Sequence, residues 1–515
     1  MKTLPTALYT TALLLSACTA DDNLFSDYRV FFKNSFVTNT GTLFQSAALG
    51  DSVQHVSDKN ATIKGYFEYT DPEEISRYGH CWVKGGTTPI ISNDSANCTI
   101  YDFRKRQTGE FESFINGLMH ETEYSVRSFI ITDNGTVGYN PQVTRFVTTE
   151  PHDEWFSCPN LTNQLRCDGV SVSTVINGDT ISFFGLGRNA STCFADFYQF
   201  NSKTGQITRL KDFPGKARWG AVAFALSYTD RISKEEVQCV YVGLGSSDSD
   251  GSNYENDFYV YRLDKSRWEK VQYIWHNQDG EDVYTNAFTA DGRTGSIAFS
   301  IDEYGFVGMG ENAIGACYND IYVFMMERDH NKWPMPNRGY FYTMSNIFPF
   351  GGRKGASAFV IDKSVYIIGG QNDKGECYKD LIQGNFINPG SPESSTAFNF
   401  NWAKRKQFPG SPRAFAACAT VGGYAYYGTG EGGNKGKLFS DFYRYDAGND
   451  TWTSCTEYKN GEYQDAPGYH QNAQIAPAVS RSFTLTGNDR CYIGSGFVGE
   501  DSNIKFVNYL WEYRP

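Results

Sequence analysis

Gly295-Ser-Ile-Ala-Phe-Ser-Ile-Asp-Glu-Tyr-Gly-Phe-Val-Gly-Met-Gly310, followed by Asn319-Asp-Ile-Tyr-Val-Phe324 and then Trp333, is a stretch whose parts recur along the chain. Gly220-Ala-Val-Ala-Phe224 leads to Val242-Gly-Leu-Gly245, Asp257-Phe-Tyr-Val-Tyr261 and Trp268. Gly355-Ala-Ser-Ala-Phe359 leads to Ile368-Gly-Gly370, Asp380 and Trp402, and Ala414-Phe-Ala-Ala417 to Gly428-Thr-Gly430, Asp441-Phe-Tyr-Arg-Tyr445 and Trp452. A first copy runs through Gly185-Leu-Gly187 to Asp196-Phe-Tyr-Gln-Phe200, and a sixth through Gly494-Ser-Gly496 to Asn508-Tyr-Leu-Trp-Glu-Tyr513. Arg293, Arg353 and Arg413 each stand 17 residues before the second glycine of their copy, and Asp257 to Trp268 matches Asp441 to Trp452 at 11. Self-similarity at a long period means a stacked or radial repeat architecture. Within each copy, β-branched and aromatic runs broken by Gly, Asp and Asn read as four strands with tight turns.

Paired glycines, a Tyr-x-Tyr strand and a later Trp, repeated six times over roughly residues 152–515, resemble the kelch family of β-propellers. The resemblance implies an all-β, six-bladed propeller and leaves function open. The sixth copy stops at Pro515 without an outer Trp strand, while Glu154-Trp-Phe-Ser157 stands unassigned before the first copy. The strand at 152–158 is therefore expected to complete the sixth blade, closing the ring and removing unpaired strand edges.

Residues 1–17 read as an export signal rather than structure: Lys2 precedes an apolar run from Leu4 to Leu15, too short for a bilayer span. Leu15-Ser-Ala-Cys18 resembles the box of a bacterial lipoprotein signal, which implies cleavage before Cys18 and a lipid on it. The acidic Thr19-Ala-Asp-Asp-Asn23 resembles surface-export signals of Bacteroidetes lipoproteins, implying an outer-membrane protein facing the cell exterior. Membrane contact would then be through the lipid alone. A net charge of −12 repels phosphate backbones and argues against nucleic acid as a partner.

Residues 18–55 read as the lipidated N-terminus and a polar spacer with one strand, Tyr28 to Phe36. From 56 to 150 the alternation becomes regular, and Gly117-Leu118 with Thr122-Glu-Tyr124-Ser-Val-Arg127 resembles the corner of a fibronectin type III domain. That implies a β-sandwich with Trp82 as its buried aromatic, spacing or orienting the propeller at 151–515. Cys81 with Cys98, and Cys158 with Cys167, are the disulfide candidates; Cys193, Cys317 and Cys377 recur three residues before an Asp and read as small buried thiols.

In a propeller the inner-strand starts and the loops after the glycine pairs share one mouth. Arg166, Arg218, Arg293, Arg353, Arg413 and Arg481 precede the inner strands and suggest a ring of forked donors for a carboxylate or hydroxyl-rich ligand. The alternative is that they pair with acidic residues of neighbouring blades. Trp219, Phe415 and Tyr469 lie beside this ring with His470, and the connectors Ile274 to Gln278 and Pro334 to Phe350 could extend the site. Gly468-Tyr-His470 is similar to one ligand pair of galactose oxidase, but no second copper ligand sits in a matching motif. Asp248-Ser-Asp-Gly-Ser-Asn253-Tyr-Glu255 clusters oxygens, yet its glycine is misplaced for an EF-hand and it reads as a solvated acidic turn. No zinc motif, nucleophile elbow or phosphate loop occurs, so no metal or cofactor is implied.

The reading that follows is a surface-anchored binding protein that recognises a glycan or glycoprotein at an arginine-lined mouth. Bacterial sialic-acid mutarotases are also six-bladed kelch proteins with an Arg-rich mouth, so a mutarotase or epimerase acting on acidic sugars is the enzymatic alternative. A protein-interaction platform using the loop faces is the third.

Overall fold

In a computed structural model the described residues are 34–38, 43–69, 75–91, 97–102, 109–150, 152–249, 251–344, 347–387, 398–433, 436–458, 478–499 and 504–515. The chain divides into two compact units, Met1–His152 and Asp153–Pro515, and strands dominate both. No helix among the described residues is long and apolar enough to cross a membrane.

In the first unit, Leu43–Val56 pairs with Ala61–Tyr69, which pairs with Gly109–Ile115. Ile75–Lys84 lies between Tyr101–Asp102 and Glu123–Thr132, and the latter also pairs with Val137–Tyr139 and Thr144–Val147. Asn34–Thr38 bridges Leu43–Val56 and Val137–Tyr139. The polar stretch before 56 is thus strand from Leu43 onward, and not a spacer throughout. Alternate residues place Ile63, Ile115, Val126, Tyr124 and Phe146 in one core cluster. The Tyr124 hydroxyl accepts from the Met119 backbone N–H at 2.9 Å, tying the tyrosine to the loop before it. Trp82 is only half-buried against this cluster; the fully sealed aromatics of the unit include Tyr78, Phe129 and Tyr139.

Among the described residues the second unit holds six blade sheets arranged as a β-propeller and a two-stranded ribbon, Glu431–Gly432 with Lys437–Leu438; pairing is antiparallel except where Gln272–His276 meets Pro334–Thr343. Blade 1 is Val170–Ile176, Asp179–Gly185, Phe197–Asn201 and Gln206–Arg209; blade 2 is Val222–Thr229, Glu236–Gly243, Phe258–Arg262 and Arg267–Lys270. Blade 3 is Ile297–Ile301, Tyr304–Gly308, Ile321–Arg328 and Pro334–Thr343, extended outward by Gln272–His276 and Asp282–Asn286. Blade 4 is Ser357–Ile361, Ser364–Ile368, Leu381–Ile387 and Asn399–Lys404; blade 5 is Ala417–Val421, Tyr424–Gly428, Phe442–Asp446 and Thr451–Cys455. Blade 6 is Phe483–Thr486, Cys491–Val498 and Lys505–Arg514, with Glu154–Cys158 as its outer strand in register from Glu154 opposite Arg514 to Cys158 opposite Leu510. Both ends of the propeller sequence therefore meet in one sheet.

Each junction between neighbouring blades encloses an apolar cluster, such as Phe183, Phe197 and Val240 between blades 1 and 2 or Phe184, Phe483 and Leu510 between blades 6 and 1. Second strands such as Tyr304–Gly308 are buried along their whole length because a blade covers each face. That is why they read as unbroken apolar runs. Where such a strand ends in glycine, as at Gly308, space requires it: a Cβ there would lie 2.3 Å from the Asp320 carbonyl oxygen. The second glycine of each pair donates its N–H to the first residue of the next blade's motif: Gly187 to Arg218, Gly245 to Arg293, Gly310 to Arg353, Gly370 to Arg413, Gly430 to Val479 and Gly496 to Arg166. The last of these links, at 2.7 Å, joins blade 6 to blade 1.

No disulfide joins any of the eleven cysteines after Cys18, all of which lie among the described residues. Cys158, on the outer strand of blade 6, points toward Glu512, and Cys167 sits against Asp168 at the mouth, so these two do not pair. Cys81 and Cys98 face each other across a strand bridge without a bond between them.

Candidate functional site

The arginine before each inner strand is not at an opening. Arg166, Arg218, Arg293, Arg353 and Arg413 are among the most completely buried side chains of the protein. Each donates to the carboxylate that begins its own third strand: Arg166 to Asp196 (2.5 Å), Arg218 to Asp257 (2.6 Å), Arg293 to Asp320 (2.6 Å), Arg353 to Asp380 (2.7 Å) and Arg413 to Asp441 (2.5 Å). Each also donates to the carbonyl just before the second glycine, such as Gly369 for Arg353 at 2.9 Å and Thr429 for Arg413 at 3.0 Å. Phe194, Tyr318, Tyr378 and Phe439 cover four of the guanidinium planes at 3.9 to 4.3 Å. These arginines fasten the glycine loops to the third strands, and the expectation that Arg218, Arg293, Arg353 and Arg413 line a ligand opening is corrected accordingly.

Blade 6 departs from the pattern. The loop link from Gly430 runs to Val479, and strand register puts Tyr509 where the other blades have Asp, so an apolar pair replaces the ion pair. Arg481 therefore stands two residues beyond the arginine position, at the place held by Asp168, Gly220, Gly295, Gly355 and Phe415. All six have left-handed backbones, with φ between 53° and 64°. Five hydrogen bonds run head to tail among them: Gly220 N–H to Asp168, Asp168 to Arg481, Arg481 to Phe415, Phe415 to Gly355 and Gly355 to Gly295. Six residues at hydrogen-bonded strand spacing form a ring of about 5 Å radius between Cα atoms. The mouth of the central channel is thus lined by backbone of these six residues.

Three of the six are not glycine, and a left-handed conformation costs such residues roughly 1–3 kcal/mol each. These three, Asp168, Phe415 and Arg481, are also bonded to one another. Arg481 lies 3.8 Å over the Phe415 ring, contacts Asp168 at 3.1 Å and Glu431 at 2.8 Å. Asp168 takes a second contact from Arg188 at 3.1 Å, and Arg188 lies 3.6 Å over Trp219. Burial alone would raise the Asp168 carboxyl, but the charges of Arg481 and Arg188 overcome it and hold the group below the ordinary carboxylate range. Such a carboxylate is a poor proton acceptor at neutral pH. Asp168, Arg188, Glu431, Arg481, Phe497 and Ile504 line a cleft of about 510 Å³ beside the ring, where blades 5, 6, 1 and 2 approach.

Of the aromatics expected here, Trp219 is buried under Arg188 and donates its indole N–H to the Asp248 carbonyl at 2.7 Å, so it offers no free face. Phe415 is half-buried with Arg481 on one face. Tyr469 and His470 lie outside the described residues. The connectors from Ile274 and Pro334 are outer strands of blade 3, away from the mouth. The acidic turn folds on itself: Asp248 accepts from Ser252 at 2.8 Å and from Asn253. Asp168, Arg188 and Glu431 are site residues that sequence reading missed. The glycine pair marked two of them, because the residue after its second glycine always faces the mouth.

Elsewhere on the rim, Lys354 pairs with Glu311 at 2.5 Å, so the described rim carries three cations and three carboxylates, all paired. The channel below the ring, about 700 Å³, is walled by small residues such as Ser171, Ala223, Ala298 and Ala358. Among its described lining residues the one ionisable group is the Cys418 thiol, which burial pushes up to about 12. Among the described residues no three His, Cys, Asp or Glu side chains converge as metal ligands would.

The first unit holds an Asp–His–Ser array. Asp51 faces His80 Nε2 at 3.3 Å and accepts from the Ser128 N–H and Asn140; His80 Nδ1 meets Ser113 Oγ at 2.8 Å. His80 and Ser113 are wholly buried, so no substrate reaches the serine, and the array is structural. Burial would raise the Asp51 carboxyl, yet the hydrogen bond and charge of His80, with Ser128, hold it below its ordinary value. A depressed carboxyl contributes stability that is present above the unfolded pKa and lost as pH falls through the folded one. Hydrogen exchange in Ile75–Lys84 should therefore quicken as pH falls from about 5 to about 3, after correction for intrinsic rates, and Asp51→Asn should flatten that dependence. An unchanged dependence in the variant would assign it to other carboxylates.

Residues 238–487 match the family model of the KLHDC2/KLHL20/DRC7 Kelch-repeats domain. Among solved structures, that of YjhT is similar, with 15% identity over 68% of this chain and 99% of the other and a TM-score of 0.45. No curated protein matches the chain. A kelch-type propeller points to a binding or protein-interaction role, and the fold alone goes no further.

Proposed function

We propose that the chain is a surface-anchored binding protein, held by a lipid on Cys18 at a bacterial outer membrane and facing outward, that recognises a glycan or glycoprotein at the cleft beside the channel mouth. The observation that carries this is the trio Asp168, Phe415 and Arg481, held in strained backbone at one sector of an otherwise glycine-lined ring. Backbone strain concentrates where function requires it. The cleft volume of about 510 Å³ suits a small ligand, and its paired charges offer fixed donors and acceptors to hydroxyl groups. Charge balance at the rim favours neutral sugars over acidic ones. The mutarotase reading loses the free arginines that recommended it, and the ionised, arginine-bound Asp168 supplies no general base. The fibronectin III-type reading of the first unit is kept as a spacer role, supported by the corner bond of Tyr124.

The test is a glycan array followed by calorimetry on the purified chain and on Arg188→Ala. Asp168 keeps Arg481 in that variant, so the ring should stay closed. A sugar whose affinity falls tenfold or more in the variant supports the cleft, since a charge-assisted hydrogen bond contributes about 1.5–3 kcal/mol. Sugar binding that is indifferent to Arg188→Ala would move the site elsewhere. No sugar binding at all would leave the second reading, a protein platform on the loop faces of the rim.

A further inference from the structure

We infer that the cleft beside the mouth takes a neutral 6-deoxyhexose at the end of a glycan, with the C6 methyl group against an apolar wall built by blade 6; this rests on the glycan reading of that cleft. The residue after the second glycine of each pair faces the mouth, and in blades 1 to 5 it is polar: Arg188, Ser246, Glu311, Gln371 and Glu431. In blade 6 it is Phe497. Its strand partner is Phe506, at the register where blades 1, 3 and 4 carry Cys193, Cys317 and Cys377. Opposed residues of an antiparallel pair share one face of the hairpin, with Cβ atoms about 5 Å apart. The two strands stay paired beyond them, to Val498 opposite Lys505, whereas the ladder of blade 1 stops at Gly185 opposite Phe197. Blade 6 thus places an aromatic pair on the rim, and Phe497, Phe506 and Ile504 all line the cleft. The two phenylalanines are half-buried and Ile504 is 47% exposed, so the wall keeps open apolar surface.

The rest of the cleft is charged but balanced. Arg481 is held by Asp168 and Glu431, and Arg188 by Asp168, so two cations face two carboxylates. Arg188 commits Nε to Asp168 and Nη1 to the Ser249 carbonyl at 2.7 Å, and among the described residues its Nη2 has no acceptor. A matching ligand is therefore neutral, offers hydroxyl oxygens along one edge to Arg188, and turns an apolar group to Phe497, Phe506 and Ile504. An ordinary hexose would present its exocyclic hydroxymethyl group there, and that hydroxyl would give up its water hydrogen bonds without a protein partner. The 6-deoxy sugar carries a methyl group in its place, and burying a methyl group is favourable. An acetamido group also ends in a methyl, but it brings an amide N–H and carbonyl that such a wall leaves unpaired. A sugar acid would bring a carboxylate to arginines that are already neutralised.

Titration calorimetry on the full chain compares methyl glycosides that differ only at C6: L-fucoside with L-galactoside, and L-rhamnoside with L-mannoside. Methyl N-acetylglucosaminide is the control for a methyl group carried on an amide. In at least one pair the 6-deoxy member should bind about tenfold more tightly, and Phe506→Ala should reduce that ratio to about twofold or less. Arg188→Ala should weaken both members of the pair alike. Ile504→Ser, at an exposed position, should lower the ratio too and reports on the wall if Phe506→Ala fails to fold. Equal binding within both pairs, preference for the hydroxymethyl member or tighter binding of the acetamido sugar, with dependence on Arg188 retained, would overturn the methyl assignment and leave the cleft as the glycan site. A 6-deoxy preference untouched by both wall variants would overturn it as well. Binding of none of these sugars, or binding indifferent to Arg188→Ala, would overturn the cleft reading and this inference with it.

Discussion

Replacing Trp155 by alanine should open the propeller ring at its seam. The side chain is 1% exposed and packs edge-on to Phe442 at 5.0 Å and Tyr458 at 4.9 Å, with Tyr513 also at 4.9 Å. Its indole N–H donates to the Thr456 carbonyl at 2.9 Å. Truncating a buried aromatic of this size costs about 3–5 kcal/mol. Here the loss falls on the one outer strand that is not continuous with its own blade, so detachment of Glu154–Cys158 exposes the edge of Lys505–Arg514. Urea unfolding of the propeller should show the full loss, and limited proteolysis should cut between 152 and 166 in the variant first. Phe156→Ala, next on the same strand but on its opposite face, should cost far less. Equal effects of the two substitutions would mean that the seam is held by backbone pairing alone and not by the Trp155 anchor.

The repeat made the propeller legible, because one geometric constraint recurs with a fixed set of residues. At Gly185, Gly243, Gly308 and Gly428 a Cβ would lie 2.2 to 2.4 Å from atoms of the third strand or of the Asp before it, which fixes glycine there, while blade 4 accommodates Ile368 at the same register. Elements outside the repeat were harder to place. Leu43–Val56 carries small and polar residues in a long run without clean alternation, and was read as spacer although it is a paired strand. In blade 3, register sets Phe341 opposite Phe324, as Trp268 stands opposite Tyr261, so the repeat's outer aromatic is Phe341 and not the nearby Trp333. The site was only partly legible for a related reason. A conspicuous arginine reads the same whether it faces solvent or a carboxylate, and the deciding clue was a correlation: every copy with the arginine also has the later aspartate. The sixth copy lacks both, and Arg481 took the arginine's apparent place by lying two residues away. What the sequence could not disclose was that left-handed backbone falls on Asp168, Phe415 and Arg481, since that depends on the ring they close.

The same correlation sets the second large effect, in blade 4. Arg353→Ala should destabilise the propeller by about 3 kcal/mol, because it leaves the Asp380 carboxylate without its partner in a site that is only 24% exposed. The Gly369 and Phe350 carbonyls, which accept from Arg353 at 2.9 and 2.6 Å, are stranded as well. Blade 6 shows an alternative solution in which Val479 and Tyr509 occupy the two places with no charge at all. Arg353→Val combined with Asp380→Tyr transplants that pair and removes the uncompensated carboxylate along with the guanidinium. The double variant should therefore recover a substantial part of the loss, giving a coupling of about 1–3 kcal/mol in a denaturation cycle with the two single variants. Ligand binding should be unchanged in the folded double variant, since both side chains act within the blade. If Arg353→Ala instead leaves stability intact and abolishes binding, the guanidinium serves the mouth and its assignment as a blade fastener fails. The cycle thus separates the two roles that an arginine at this position can have, with stability reporting one and affinity the other.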